Sequence, residues 1–167
     1  KEALNLDLHA FGLNVSSSMG YPTVVAATDY ERMQWVMNTV SNNTVVVNDK
    51  AQSSMREPGF PLHFADDGYA KVMDADFPHV YEATDIYRRT MVNVAAPNGQ
   101  TYTVDFFRVL GGFEHVYSFH AASITDPVVE GLDMVEQPMG TYLGADVPFG
   151  TEPSGNGDTD AAYVMSG

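Results

Sequence analysis

The chain has 167 residues, 44% of them hydrophobic, enough for one packed domain and too apolar for wholesale disorder. Its 22 acidic residues against 8 basic give a formal net charge of -14, a field that repels phosphates and excludes nucleic acid as a partner. There is no cysteine for a disulfide scaffold or thiolate chemistry, and no run of about 18 apolar residues that would read as a membrane-spanning helix. The acidity reads most simply as a solubilising surface. It also opposes an anionic polysaccharide unless arginines converge locally or another domain supplies positive charge. No basic-then-apolar stretch opens the chain as a signal peptide would, so any targeting signal is expected outside these residues.

Leu4, Leu6, Leu8 and Ala10 alternate with Asn5, Asp7 and His9, a period of two that predicts a half-buried strand with His9 on its polar side. Thr28 and Glu31 have capping-box spacing, and Tyr30, Met33 and Met37 then recur at helical intervals, which predicts a short helix over about residues 29–37. The β-branched run Thr44 to Val47 predicts a strand. Further strands are predicted over 61–65, 69–75, 86–95, 101–110 and 115–121, separated by Asp66-Asp67-Gly68, Pro97-Asn98-Gly99 and Gly111-Gly112. Many strands at near-regular spacing predict an all-β chain, a single antiparallel β-sandwich domain with one short helix. From Met134 onward Gly and Pro thicken, and a long surface loop with at most one strand is expected. Ala161 to Met165 reads as the opening of another strand, while the first strand begins with almost no lead-in. The expectation is a fragment of a longer chain, cut at both ends.

The dipeptide Asn98-Gly99 suits a two-residue type I′ turn. Such a turn sets Val92 opposite Asp105, Met91 opposite Phe106 and Arg89 opposite Arg108, with Arg88, Thr90 and Asp105 together on the other face. Opposed arginines need a carboxylate or another anion between them. Either acids on neighbouring strands pair with them, or the place binds a carboxylate or sulfate, for which the guanidinium fork is suited. His115 and His120 are five residues apart, fall on opposite faces of a strand, and are read as hydrogen-bonded structural residues. Asn156-Gly157-Asp158-Thr159-Asp160 has oxygen ligands at calcium-loop spacing but lacks the downstream bidentate Glu, and it is not read as a calcium site.

Taken in order, Tyr87-Arg88-Arg89-Thr90, Val104-Asp105-Phe106-Phe107-Arg108-Val109, Gly111-Gly112, His115 and Tyr117-Ser118-Phe119-His120 resemble the β-sandwich domain of the heparinase II/III-like polysaccharide lyases. Leu4 to Pro22 is similar to the strand and Gly-Tyr-Pro turn that open that domain, and Thr39 to Gln52 resembles the family's Ser-His-Asn-Thr-Val-Val-Val-Asp segment. The resemblance covers roughly residues 3 to 125 and rests on order and spacing rather than on one strict motif.

The resemblance implies an extracytoplasmic protein, periplasmic or secreted, in which an upstream α/α toroid precedes this sandwich and uronic-acid polysaccharides are cleaved by β-elimination. That reaction needs the uronate carboxylate neutralised, a base for the C5 proton and an acid for the leaving oxygen. Most of those groups sit on the toroid in such enzymes. Their sandwich adds a His-x-His-x-Asp segment, an Asp before the Gly-Tyr-Pro turn and the His of Ser-His-Asn-Thr, several of which hold a metal, commonly zinc. Here the double-histidine segment would fall at or before Lys1, the Asp position aligns with Ser18 and the His position is Asn42, followed by Asn43 and Thr44. Neither replacement is a good zinc ligand, so no metal or other cofactor is expected.

The candidate site residues are therefore Tyr30 as an elimination acid, Arg32, Trp35, Asn42 and Asn43 as glycan-binding groups, and no metal ligands. Trp35 is suited to stacking on a sugar ring, with packing of Tyr30 and Trp35 as the plainer role, and Asn42 equally fits a turn cap. Three functions are open: a lyase sandwich that supports an acidic-glycan cleft without catalysing alone, a non-catalytic glycan-binding relative, and a structural module that self-associates through edge strands.

Overall fold

The computed structural model describes residues 2–16, 38–53, 58–121 and 128–139. The chain is all-β and antiparallel, the fold class the strand spacing predicts. The strands are β1 (Leu8–Ala10), β2 (Leu13–Ser16), β3 (Val45–Val47), β4 (Phe60–Asp66), β5 (Ala70–Asp76), β6 (Thr84–Ala95), β7 (Thr101–Gly111) and β8 (His115–Tyr117). The predicted helix over 29–37, the strand at 161–165 and the segment 156–160 lie outside the described residues. Residues 134–139 form an exposed stretch without strand, as the Gly- and Pro-rich composition predicts.

The chain divides into two compact units, Lys1–Ala51 with Glu114–Gly167, and Gln52–Phe113. In the first, β1 pairs with β2 and β3 pairs with β8. The strand predicted from Leu4 begins only at Leu8, because Leu4 sits in a turn at φ 56, a conformation no β-strand accommodates. The last strand is also shorter than predicted and ends at Tyr117, beyond which the Ser118 amide donates to Thr44 O and the His120 amide to a side chain. Type I′ turns occur at Phe11-Gly12 and Asn48-Asp49, where both central residues have positive φ. The apolar centre of this unit is Val40 with Val45, Val46 and Val47, all buried.

The second unit is a four-stranded meander in the order β4-β5-β6-β7. Its buried centre holds Val80, Tyr81, Tyr87 and Met91. Tyr87 packs edge-on to Tyr81 with centroids 5.4 Å apart and to Phe107 at 4.9 Å, and its hydroxyl accepts a hydrogen bond from Gln52 Nε2 at 3.0 Å.

The β6–β7 register differs by one residue from the one predicted. Gly99 N donates to Ala96 O at 3.0 Å, and Ala96 N donates to Gln100 O at 2.7 Å, so the turn is Ala96 to Gly99 with Pro97 at its second position. Pro97 cannot take the positive φ that a type I′ turn beginning at this point would require, but its fixed φ suits the second position of a type I turn. Gly99, at φ 80, then supplies the left-handed residue of a three-residue loop, and Asn98 is not left-handed. Arg88 therefore faces Arg108, Arg89 faces Phe107 and Met91 faces Asp105. A slip of one residue exchanges faces, so Asp105 lies on the side of Arg89 instead of Arg88, and Arg108 on the side of Arg88 instead of Arg89.

Candidate functional site

Strand β6 sorts its residues by parity. Tyr87, Arg89 and Met91 turn to the buried face, and Arg88, Thr90 and Val92 to the half-buried opposite face. On the buried face, Arg89 Nε donates to Asp105 Oδ1 at 2.9 Å and its terminal nitrogen to Oδ2 at 2.7 Å, while the guanidinium lies 5.3 Å from the Phe107 ring centroid. This bidentate pair is the neutralisation that a buried cation requires.

The opposite face carries the candidate site. Strand β5 sets Asp74 opposite Thr90 and Asp76 opposite Arg88. Asp74 Oδ1 accepts from Arg88 Nε at 2.8 Å and from Thr90 Oγ1 at 2.9 Å, and its Oδ2 accepts from the Arg88 terminal nitrogen. The hydrogen bonds from Arg88, with help from Thr90 and the charges of Arg88 and Arg108, hold the Asp74 carboxyl below the usual carboxylate range against the opposing effect of burial. The same hydrogen bond raises the pKa of Arg88. Asp76 Oδ1 is buried and has no hydrogen-bond partner among the described residues.

Arg108 stands directly opposite Arg88 from β7. Asp74 makes that like-charged neighbour tolerable by clamping Arg88, and Arg108 itself is exposed and makes no hydrogen bond or ion pair among the described residues. Beside it runs an open groove of about 450 Å³, lined by Thr90, Asp105, Phe106, Phe107 and Arg108. One guanidinium, one hydroxyl and one exposed aromatic ring thus border the same groove, together with Asp105, whose carboxylate is engaged by Arg89. That set suits a carboxylate or sulfate carried on a ring with an apolar face.

Tyr30, Arg32, Trp35 and Ser18 lie outside the described residues. Asn42 and Asn43 are placed inside the first unit, at 2% and 0% exposure. Asn42 Nδ2 donates to Asn38 O at 3.0 Å across a short 3-10 turn, Thr39–Ser41. Asn43 is a junction. Its Nδ2 donates to Leu6 O at 2.8 Å and Ser16 Oγ at 2.7 Å, its Oδ1 accepts from His120 N at 2.6 Å, and its own amide donates to Asn5 Oδ1 at 2.8 Å. His120 Nε2 donates to Val40 O at 2.8 Å, in keeping with the structural role read for it, and His9 and His115 are exposed. Among the described residues no three His, Cys, Asp or Glu side chains converge as a metal site.

Sequence reasoning missed Asp74, Asp76 and the hydroxyl of Thr90. The signal was the Asp-x-Asp spacing at the end of β5, which puts both carboxylates on one face of a strand. In comparisons with known proteins, the chain matches no family model, no curated protein and no solved structure.

Proposed function

We propose that this chain is the β-sheet portion of a protein acting on uronic-acid glycans, as its resemblance to heparinase II/III-like polysaccharide lyases implies, and that it holds the glycan rather than cleaving it unaided. The observation that supports this reading is Arg108. It is an exposed guanidinium beside Thr90 and Phe106, on a face where Asp74 already neutralises its neighbour Arg88. A uronate offers the complementary pair of features, a planar carboxylate for the guanidinium fork and a ring whose C–H face packs on an aromatic side chain. With a net charge of -14 on the chain, such a locally cationic point is needed if a polyanion is to approach at all. On this reading the chain works outside the cytoplasm with an upstream toroid that carries most of the eliminating groups.

Titration of the chain with short glucuronate, iduronate and mannuronate oligosaccharides, followed by calorimetry and by absorbance of unsaturated products, tests the proposal. Binding of at least one oligomer is expected, weakened about tenfold or more in Arg108→Gln, which removes one charge-assisted contact of about 1.5–3 kcal/mol. No binding of any oligomer, or equal binding by Arg108→Gln, overturns it. Accumulation of unsaturated product by the chain alone overturns the statement that it does not cleave unaided.

A further inference from the structure

Among the described residues the β4-β5-β6-β7 sheet ends in two edges that are built differently. Strand β4 has seven residues, carries Pro61, which lacks an N–H, and is kinked where the register shifts between Pro61 and His63. These are features that blunt an edge. Strand β7 has eleven residues, TYTVDFFRVLG, with no proline and no lysine, and its register with β6 is unbroken from Thr101 to Leu110. Three large side chains on one face of it, Tyr102, Phe106 and Leu110, are each more than half exposed, at 55%, 53% and 55%.

We infer that β7 is a self-association edge at which a second copy of this chain adds its own β7 antiparallel, making one continuous eight-stranded sheet. A second copy fits because the strand is self-complementary about its middle. Antiparallel neighbours in one sheet oppose residues of the same face, so the two-fold axis passes through a residue pair. Phe106 is the midpoint of Tyr102 to Leu110, and the register that pairs that stretch sets Phe106 opposite its own copy. Tyr102 then meets Leu110 of the second copy twice over, and the exposed apolar side chains of both strands form one row. Asp105 meets Phe107, and Arg108 meets Val104, so the one acid and the one base of the strand never face a like charge. The pairing also leaves both Arg108 side chains on one continuous face. The inference does not depend on the glycan reading.

Sedimentation of the 167-residue chain over rising concentration tests it, together with single-cysteine cross-linking, for which a chain without cysteine is suited. Opposed residues in an antiparallel pair have Cβ atoms about 4.5–5.5 Å apart, close to disulfide reach. A doubling of the sedimenting mass is expected, with Phe106→Cys oxidising to a covalent dimer and Tyr102→Cys remaining uncross-linked. Phe106→Lys opposes two ammonium groups at the axis and is expected to abolish the dimer, while Leu62→Lys on β4 leaves it intact. A chain that stays monomeric at every concentration overturns the inference, including the case in which β7 serves a segment of some other protein. A dimer that survives Phe106→Lys, or that cross-links through Tyr102→Cys and not Phe106→Cys, overturns it equally.

Discussion

Replacing Arg89 by Met tests whether the buried ion pair of β6 and β7 holds the second unit together. Arg89 is 4% exposed and Asp105 20%, joined by two charge-assisted hydrogen bonds at 2.9 and 2.7 Å. Removing one member of a buried pair costs about 3–5 kcal/mol, because the remaining charge loses its partner but stays desolvated. Asp105 keeps some access to water, so Arg89→Met belongs at the lower end, about 3 kcal/mol. Asp105→Asn takes the carboxylate away from the more deeply buried Arg89 and belongs nearer 4 kcal/mol. The double variant Arg89→Met with Asp105→Leu removes both charges of the pair, and its cost is expected to be about 1 kcal/mol or less. In urea unfolding, with a slope of about 2 kcal/mol per molar, the first variant lowers the midpoint by roughly 1.5 M while the double variant stays near wild type. Midpoint shifts below about 0.5 M for both single variants, or a double variant that equals their sum, would refute this account.

Asp74 gives a pH dependence. Its folded pKa lies below the unfolded value of about 3.9, so its contribution is complete above that pH and is lost as the pH falls through the lower folded value. Urea midpoints measured between about pH 6 and pH 2 are expected to be lower in Asp74→Asn at the upper end and to converge with wild type at the lower. Asn43→Ala leaves Leu6 O, His120 N and Ser16 Oγ without their partner, and a loss of about 2–4 kcal/mol is expected in the same assay. If Asn43 serves glycan binding instead, the variant unfolds like wild type and binds less. Gly111→Ala places a methyl group against Ala83 O at φ 101, and calorimetric melting is expected to fall by several degrees. Gly99→Ala meets no neighbour and costs only the left-handed backbone, about 1 kcal/mol.

The strands of the sheet were legible because alternation and turn residues act locally. Thr101 to Leu110 and Tyr69 to Ala75 were read to within a residue or two of their observed limits. Which side chains meet was not legible, because that depends on one proline. Asn98-Gly99 alone favours a two-residue turn, but Pro97 takes the second turn position and moves every pair of β6 and β7 by one. Weighing Pro97 before Asn98 would have found the observed faces. The Leu4 to Ala10 alternation failed for a different reason, since the segment before Leu8 is tied by Asn5 and Leu6 to Asn43 and by Ala3 to Thr44, contacts far away in sequence. Asn43 is by sequence a glycan-binding candidate; nothing in its neighbours announces that Leu6, Ser16, His120 and Asn5 converge on it.

The two arginine clamps occupy consecutive positions of one strand and point to opposite sides. Asp74 holds Arg88 from β5, and Asp105 holds Arg89 from β7. A strand that slides by two residues keeps its apolar side facing inward, so hydrophobicity alone does not forbid it. Here a two-residue slide of β7 that brings Asp105 opposite Asn93 parts it from Arg89, whereas a two-residue slide of β5 in either sense keeps Asp74 or Asp76 beside Arg88. Strand β6 is thus keyed on its β7 side against one sense of sliding, while the paired acids of β5 leave its other side a more forgiving lock.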